Sequence, residues 1–191
     1  MSDVISAADR RACSDQALHS YGTGYIFEQK SASLRRRLKA LSFFGIASPA
    51  SLGAVIGTYN LSQPNIHNAL YFASTVAIAH LLTSIWSLVS GWERDLSSYL
   101  DLKQLNYELA NKYEKLGKNI ALDEERFRLA YISLEESREW IRRFAEQHDI
   151  KQKEKVRGMR YALRKYQRPC AACGKVPESM KRTKCGVCGK F

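Results

Sequence analysis

Charge is missing from the middle of this chain. The 53 residues from Ala40 to Trp92 hold no Asp, Glu, Lys or Arg, although charged residues make up 26% of the 191. Random placement at that density would almost never leave such a gap, which excludes an ordinary solvated stretch. Acidic residues are nearly missing from the last 42 positions, where Glu154 and Glu178 stand against 13 Lys and Arg. That imbalance excludes a neutral tail and points to phosphate, on lipid or on nucleic acid. Residues 1–30 lack a basic start followed by a hydrophobic run, so no cleavable signal peptide is expected. Gly22 and Gly24 have no following Gly-Lys-Ser/Thr, which excludes a phosphate loop. No Ser/His/Asp or Cys/His grouping stands out, and carboxylate pairs such as Glu135–Glu136 read as solvated helix faces. The length leaves no room for a large enzyme core, and no enzymatic chemistry is expected.

The charge-free region divides into two apolar segments, Leu41–Leu61 and Ala69–Gly91, joined by the short, turn-prone Ser62–Asn68. About 20 apolar residues in a helix rise about 30 Å, the hydrocarbon thickness of a bilayer. A buried soluble hairpin is the alternative, but covering both helices on all faces needs more protein than this chain has. The expected fold is therefore all-α, with a two-helix transmembrane hairpin. Arg35, Arg36, Arg37 and Lys39 precede it, Arg94 and Lys103 follow it, and the connecting loop has no basic residue. The positive-inside rule then places both termini in the cytoplasm. Phe43, Phe44 and Trp92 at the inner ends, and Tyr59 and Tyr71 at the outer ends, agree with that placement.

Each span carries a stripe of small residues. Gly45, Pro49, Gly53 and Gly57 recur every four residues in the first, which suits close helix packing. In the second, Ala73, Ala77, His80, Ser84, Ser87 and Gly91 form a narrow, weakly polar line. One reading docks this line against the first helix or another protomer. The other has several copies assemble with it facing a water-filled pore, since an ionisable group at membrane depth marks a functional site by default. One hairpin alone cannot enclose a conduit, so any pore requires a homo-oligomer.

The remaining segments read as a cytoplasmic helical extension. Residues 1–40 form an N-terminal helical segment, 41–92 the hairpin, 93–149 amphipathic helices, 150–168 a basic arm, and 169–191 a small cysteine module. Leu102, Leu105, Leu109 and Leu116 share a helical stripe, with a stop expected at Gly117. A second helix is expected to start near Asp123, its apolar face made of Phe127, Tyr131, Leu134, Ile141 and Ala145. In the arm, Val156, Met159, Leu163 and Tyr166 make an apolar stripe beside Lys153, Arg157, Arg160, Arg164 and Arg168. Such a helix suits an anionic lipid leaflet or nucleic-acid phosphates; a merely solvated helix is the plain alternative.

Cys170-Ala-Ala-Cys173-Gly and Cys185-Gly-Val-Cys188-Gly are separated by eleven residues from Gly174 to Lys184. Two CxxC turns bring four thiolates toward one point, which suits tetrahedral zinc in a closed, structural site. Two disulfides are the rival, disfavoured by the reducing cytosol that the topology assigns to the tail. Gly174 and Gly189 are expected to supply left-handed turns. Cys13 is left over as a plain thiol.

The Cys170, Cys173, Cys185 and Cys188 spacing, together with the hairpin over Leu41–Gly91, resembles the bacterial mobilome CxxCx(11)CxxC proteins. These look like members of the SLATT superfamily of two-transmembrane effectors. The resemblance implies a multi-pass protein of the bacterial inner membrane, encoded on mobile elements and active in conflict with phage. It implies pore formation that kills or arrests the infected cell, and a sensing or nucleotide-signalling partner. A non-conducting, membrane-tethered zinc knuckle that binds nucleic acid or a protein is the alternative function.

Overall fold

The computed structural model describes residues 6–58 and 63–191, with the side-chain surroundings of 48–58, 63–66 and 69 outside the description. Among the described residues the chain is all-helical: α1 (Ala7–Thr58), α2 (Gln63–Val89), α3 (Trp92–Lys118), α4 (Glu124–Glu146) and α5 (Gln152–Lys165). The expected N-terminal helix and first apolar segment are one continuous helix, because residues 31–40 contain no Gly or Pro to interrupt it. The expected connector Ser62–Asn68 is shorter than the sequence suggested, since α2 already begins at Gln63. Pro64 is tolerated there because first-turn N–H groups have no intrahelical acceptor.

Two compact units result, one formed by Met1–Lys30 with Ser98–Phe191 and the other by Ser31–Ser97. The basic arm and cysteine module thus belong to one unit with α3, α4 and the start of α1. In this unit α1 serves two cores. Cys13, Ala17 and Phe27 pack with Leu102, Leu109, Tyr113 and Leu116 of α3 and Phe127, Ile141 and Ala145 of α4. Leu18 packs with Ala162, Leu163, Cys170 and Cys188, with Tyr21 alongside. Leu105, Tyr131 and Leu134 of the expected stripes are only partly buried.

Local chemistry sets the helix ends. Asp123 Oδ1 accepts from the Arg126 amide at 2.8 Å and starts α4 where expected. α3 ends at Lys118, within the Leu116–Asn119 stretch where the stop is expected, although Gly117 is the penultimate helical residue rather than the one beyond the end. A Cβ at Gly117 would lie 3.1 Å from Cys13 Cβ, so this glycine also admits α1. Arg10 reaches across and donates to the Gly117 and Asn119 carbonyls at 3.0 and 3.1 Å, placing a cation on the negative end of α3. Glu135 is not the solvated carboxylate its neighbour Glu136 is: it accepts from the buried Tyr113 hydroxyl at 2.7 Å and from Arg138 at 3.0 Å.

Glycines also explain how α5 docks. A Cβ on Gly158 would come 2.6 Å from the Gly22 carbonyl oxygen, and one on Gly22 would come 3.1 Å from that of Gly158. The two helices therefore touch backbone to backbone, a contact that only glycine permits. Gly158→Ala is expected to destabilise the protein by about 2 kcal/mol through overpacking, measured by chemical denaturation. An unchanged midpoint would show that the crossing is looser than described.

In the other unit, α2 contains the candidate span, Leu70–Val89, long and apolar enough to cross a membrane, with 6% of it buried. It is the sole such candidate among the described residues; the second expected span, Leu41–Leu61, is not shown. The first apolar segment, Leu41–Leu61, runs into residues outside the description, as do the surroundings of Pro49, Gly53 and Gly57 and all of Tyr59. Gly91, at φ +66°, ends α2: its amide donates to the Leu88 carbonyl at 3.1 Å, and α3 begins immediately afterwards.

Candidate metal centre

Chain reversals after α5 build the cysteine site from backbone hydrogen bonds. The Cys170 amide donates to the Lys175 carbonyl at 3.0 Å and the Gly174 amide to the Cys170 carbonyl at 2.8 Å, closing the first turn. In the second, the Gly189 amide donates to the Cys185 carbonyl at 3.0 Å, and the Thr183 amide to the Gly189 carbonyl at 3.0 Å. Gly174 has φ +68°, the expected left-handed turn. Gly189 serves a different end: a Cβ there would fall 2.8 Å from the Thr183 carbonyl oxygen, so the glycine makes room for the returning chain.

These turns bring the Sγ atoms of Cys170, Cys173, Cys185 and Cys188 within 4.8 Å of one another. Cys170 and Cys185 lie 3.9 Å apart, and Cys173 and Cys188 3.8 Å. A regular tetrahedron with metal–sulfur bonds of about 2.3 Å has edges of about 3.8 Å. The four thiols are thus placed to hold one ion and to close its coordination shell. Their environments differ. Amides of Cys188 and Val187 pull the Cys185 thiol down to about 6, whereas burial pushes that of Cys188 up. Lys175, Lys181, Arg182 and Lys184 are all exposed around the turns and offset the negative charge that thiolates bring.

The arm does more than carry charge. Its apolar stripe faces inward: Val156 and Leu163 are buried, and Met159 and Tyr166 pack beside the second core. Tyr25 stacks on Tyr161 at 3.8 Å, and Tyr21 meets Tyr166 edge-on at 5.5 Å. Arg160 is 5% exposed; it donates to the Ser179 carbonyl at 2.6 Å and the Cys188 carbonyl at 2.9 Å, strapping the cysteine module to α5. Arg168 pairs with Asp15 of α1 at 2.6 Å, and Lys30 with Glu154 at 3.4 Å near the other end of α5. Of the five cations in the expected phosphate face, Lys153, Arg157 and Arg164 therefore remain exposed. The period of the arm revealed its apolar stripe but not its target, and no sequence signal marked Arg160 as internal. Arg160→Leu is expected to leave two carbonyls without donors and cost about 2–4 kcal/mol, read from thermal unfolding. A variant as stable as wild type would refute the strap.

Cys13 stands apart from the cluster. It is fully buried, and burial followed by the charge of Asp9 pushes its thiol up to about 11, so it remains a neutral packing group at pH 7.

The α2 stripe is brought toward α1. Ser87 is buried, Ala73, His80 and Ser84 are half-buried, Gly91 forms the turn, and Ala77 is exposed. His80 Nε2 donates to the Leu41 carbonyl at 3.1 Å, which fixes the proton on that nitrogen. The His80 ring occupies the space left by Gly45, where a Cβ would sit 2.9 Å from it.

A family model described as "Mobilome CxxCx(11)CxxC protein" matches residues 10–191 and so spans both units as well as the cysteine turns. No curated protein and no solved structure matches the chain.

Proposed function

Because the chain belongs to the mobilome CxxCx(11)CxxC family, we propose that it is a bacterial membrane effector carried by mobile elements. In this reading it is SLATT-like, crosses the inner membrane twice with both termini in the cytoplasm, and acts against phage-infected cells as a homo-oligomer. The observation that carries the membrane placement is the outward apolar face of α2, where Ile78 is 59% exposed and Leu88 81%. Water would penalise such a face, and lipid satisfies it. Exposed Arg35, Arg36, Arg37 and Lys39 then sit on the cytoplasmic side of α1. Zinc is the proposed ion for the four thiolates, in a structural role, because their edge lengths and closed shell suit it.

The resting hairpin is closed in this reading. Its polar line is turned to α1 except at Ala77 and its outer face is mostly apolar, so neither lines a wet conduit. Permeation requires protomers to assemble and free His80, Ser84 and Ser87 from α1, under a signal received by the cytoplasmic unit from a sensing or nucleotide-signalling partner. Expression in cells is expected to admit an otherwise excluded dye and dissipate the membrane potential. The His80→Ala and Ser84→Leu variants are expected to change that leakage with unchanged protein abundance. Intact membranes after triggered activation would exclude permeabilisation.

A second reading is a non-conducting module that grips nucleic acid. Exposed Lys153, Arg157, Arg164, Lys181, Arg182 and Lys184 favour it. Binding of the full-length protein to RNA or DNA that falls steeply with salt, without leakage, would select it.

A further inference from the structure

At the Trp92 end of the α1–α2 pair is a groove of about 670 Å³. Leu41 and Leu88 form an apolar wall, Ser42, Ser84 and Ser87 supply hydroxyls, and Trp92, Glu93 and Arg94 close the end. Its volume lies within the range of small-molecule sites. The turn below it leaves room for the Arg94 side chain. Gly91 is in the left-handed region, and a Cβ there would lie 2.9 Å from the Arg94 guanidinium, which therefore lies against the bare backbone of the turn. Glu93 and Arg94 are both exposed, and among the described residues neither has an ion-pair partner. One anion and one cation, both unpaired, thus stand side by side where the apolar surface of α2 ends.

We infer that this groove holds the headgroup of phosphatidylethanolamine, an inference that rests on the membrane placement of α2. The chemistry selects that lipid. A guanidinium takes a phosphodiester through paired N–H donors, and a carboxylate accepts from a primary ammonium. Serine hydroxyls satisfy the remaining oxygens and N–H groups. Phosphatidylcholine has no N–H to give Glu93, and phosphatidylglycerol has no cation to offer it. The acyl chains then run along Leu88 and Val89, which are 81% and 74% exposed.

The test uses the two tryptophans of this unit. Trp86, 64% exposed on α2, reports contact with any lipid, and Trp92 reports the groove. Full-length protein carrying Trp86→Phe and Trp140→Phe keeps only Trp92; the companion with Trp92→Phe and Trp140→Phe keeps only Trp86. Each is reconstituted into phosphatidylcholine vesicles containing a chain-brominated phosphatidylethanolamine, phosphatidylcholine or phosphatidylglycerol. Trp86 is expected to be quenched equally by all three. Trp92 is expected to respond to the ethanolamine lipid at roughly one-fifth or less of the concentration the others need, the gain of about one charge-assisted contact. Glu93→Gln and Arg94→Ala are each expected to abolish the preference without altering the Trp86 signal. Equal quenching of Trp92 by all three lipids, or a preference for phosphatidylglycerol, would overturn the assignment while leaving the membrane placement intact. Relief of the quenching by soluble glycerophosphoethanolamine at micromolar concentration would overturn it in favour of a water-soluble ligand. Absence of Trp86 quenching by any lipid would remove both the assignment and the placement.

Discussion

Stripping the metal from the four-cysteine site is expected to release residues 169–191 from α1 and α5 and to leave the α3–α4 pairing standing. The magnitudes decide this. Apparent metal-binding free energies of four-ligand zinc modules are about 10–16 kcal/mol near neutral pH and count directly toward folding. A whole small domain is stable by only about 5–15 kcal/mol. Within the module itself the buried side chains are few, chiefly Cys170, Pro177 and Cys188, so apolar burial cannot replace the ion. Four thiols without metal would also crowd charge or bury unpaired sulfur, with Cys188 2% exposed. Chelation, or Cys188→Ser, is therefore expected to abolish hydrogen-exchange protection through 169–191 and to expose Leu18 and Tyr21. Protection around Leu109 and Tyr113, which belong to the other core, is expected to persist. Elemental analysis is expected to find one ion per chain in wild type and in Cys13→Ser, and less than a tenth of that in Cys188→Ser. Undiminished protection of 169–191 after complete metal removal would show that the ion is not structural.

The same comparison explains what could be read from the residues and what could not. The cysteine spacing is local and its chemistry stringent, so the cluster could be foreseen down to its four members, and the fold gathers their sulfurs within 4.8 Å of one another. The apolar stripes of α3 and α4 could be foreseen because one face of each meets one core. The amphipathic arm shows the limit of periodicity. A stripe of Val156, Met159, Leu163 and Tyr166 states that something apolar covers it, yet a lipid surface and a neighbouring helix give the same pattern. What decides between them is the Gly22–Gly158 crossing, a contact between positions 136 apart in sequence that neither glycine announces alone. Arg160 was opaque for a similar reason. Arginine at a basic face looks solvated until its carbonyl partners, Ser179 and Cys188, are known. Gly189 shows a further limit, because close approach and left-handed backbone both select glycine, and only the packing against Thr183 distinguishes them.

With α2 placed in the membrane as proposed, two arginines on its outer face are expected to remove the protein from the bilayer. Ile78 and Leu82, 59% and 62% exposed, lie four residues apart near the middle of Leu70–Val89. Arginine at the centre of a membrane helix costs about 2.5–3.5 kcal/mol on insertion scales, so the Ile78→Arg/Leu82→Arg pair opposes insertion by about 5–7 kcal/mol. Each Leu, Ile, Val or Phe favours insertion by only about 0.3–0.6 kcal/mol there, and the seven that remain in this segment after the substitution together supply about 2–4 kcal/mol, too little to absorb the pair. The inward stripe provides the contrast. His80→Gln keeps a side-chain N–H for the Leu41 carbonyl and adds no charge, so it is expected to remain fully inserted. Resistance to alkaline carbonate extraction measures both. Wild type and His80→Gln should stay with the membrane pellet, and the arginine pair should move to the supernatant or be degraded. Were wild-type protein itself extracted in folded form, the apolar face of α2 would have to be covered by protein, and the hairpin, its sidedness and the leakage proposed from it would all lose their physical basis.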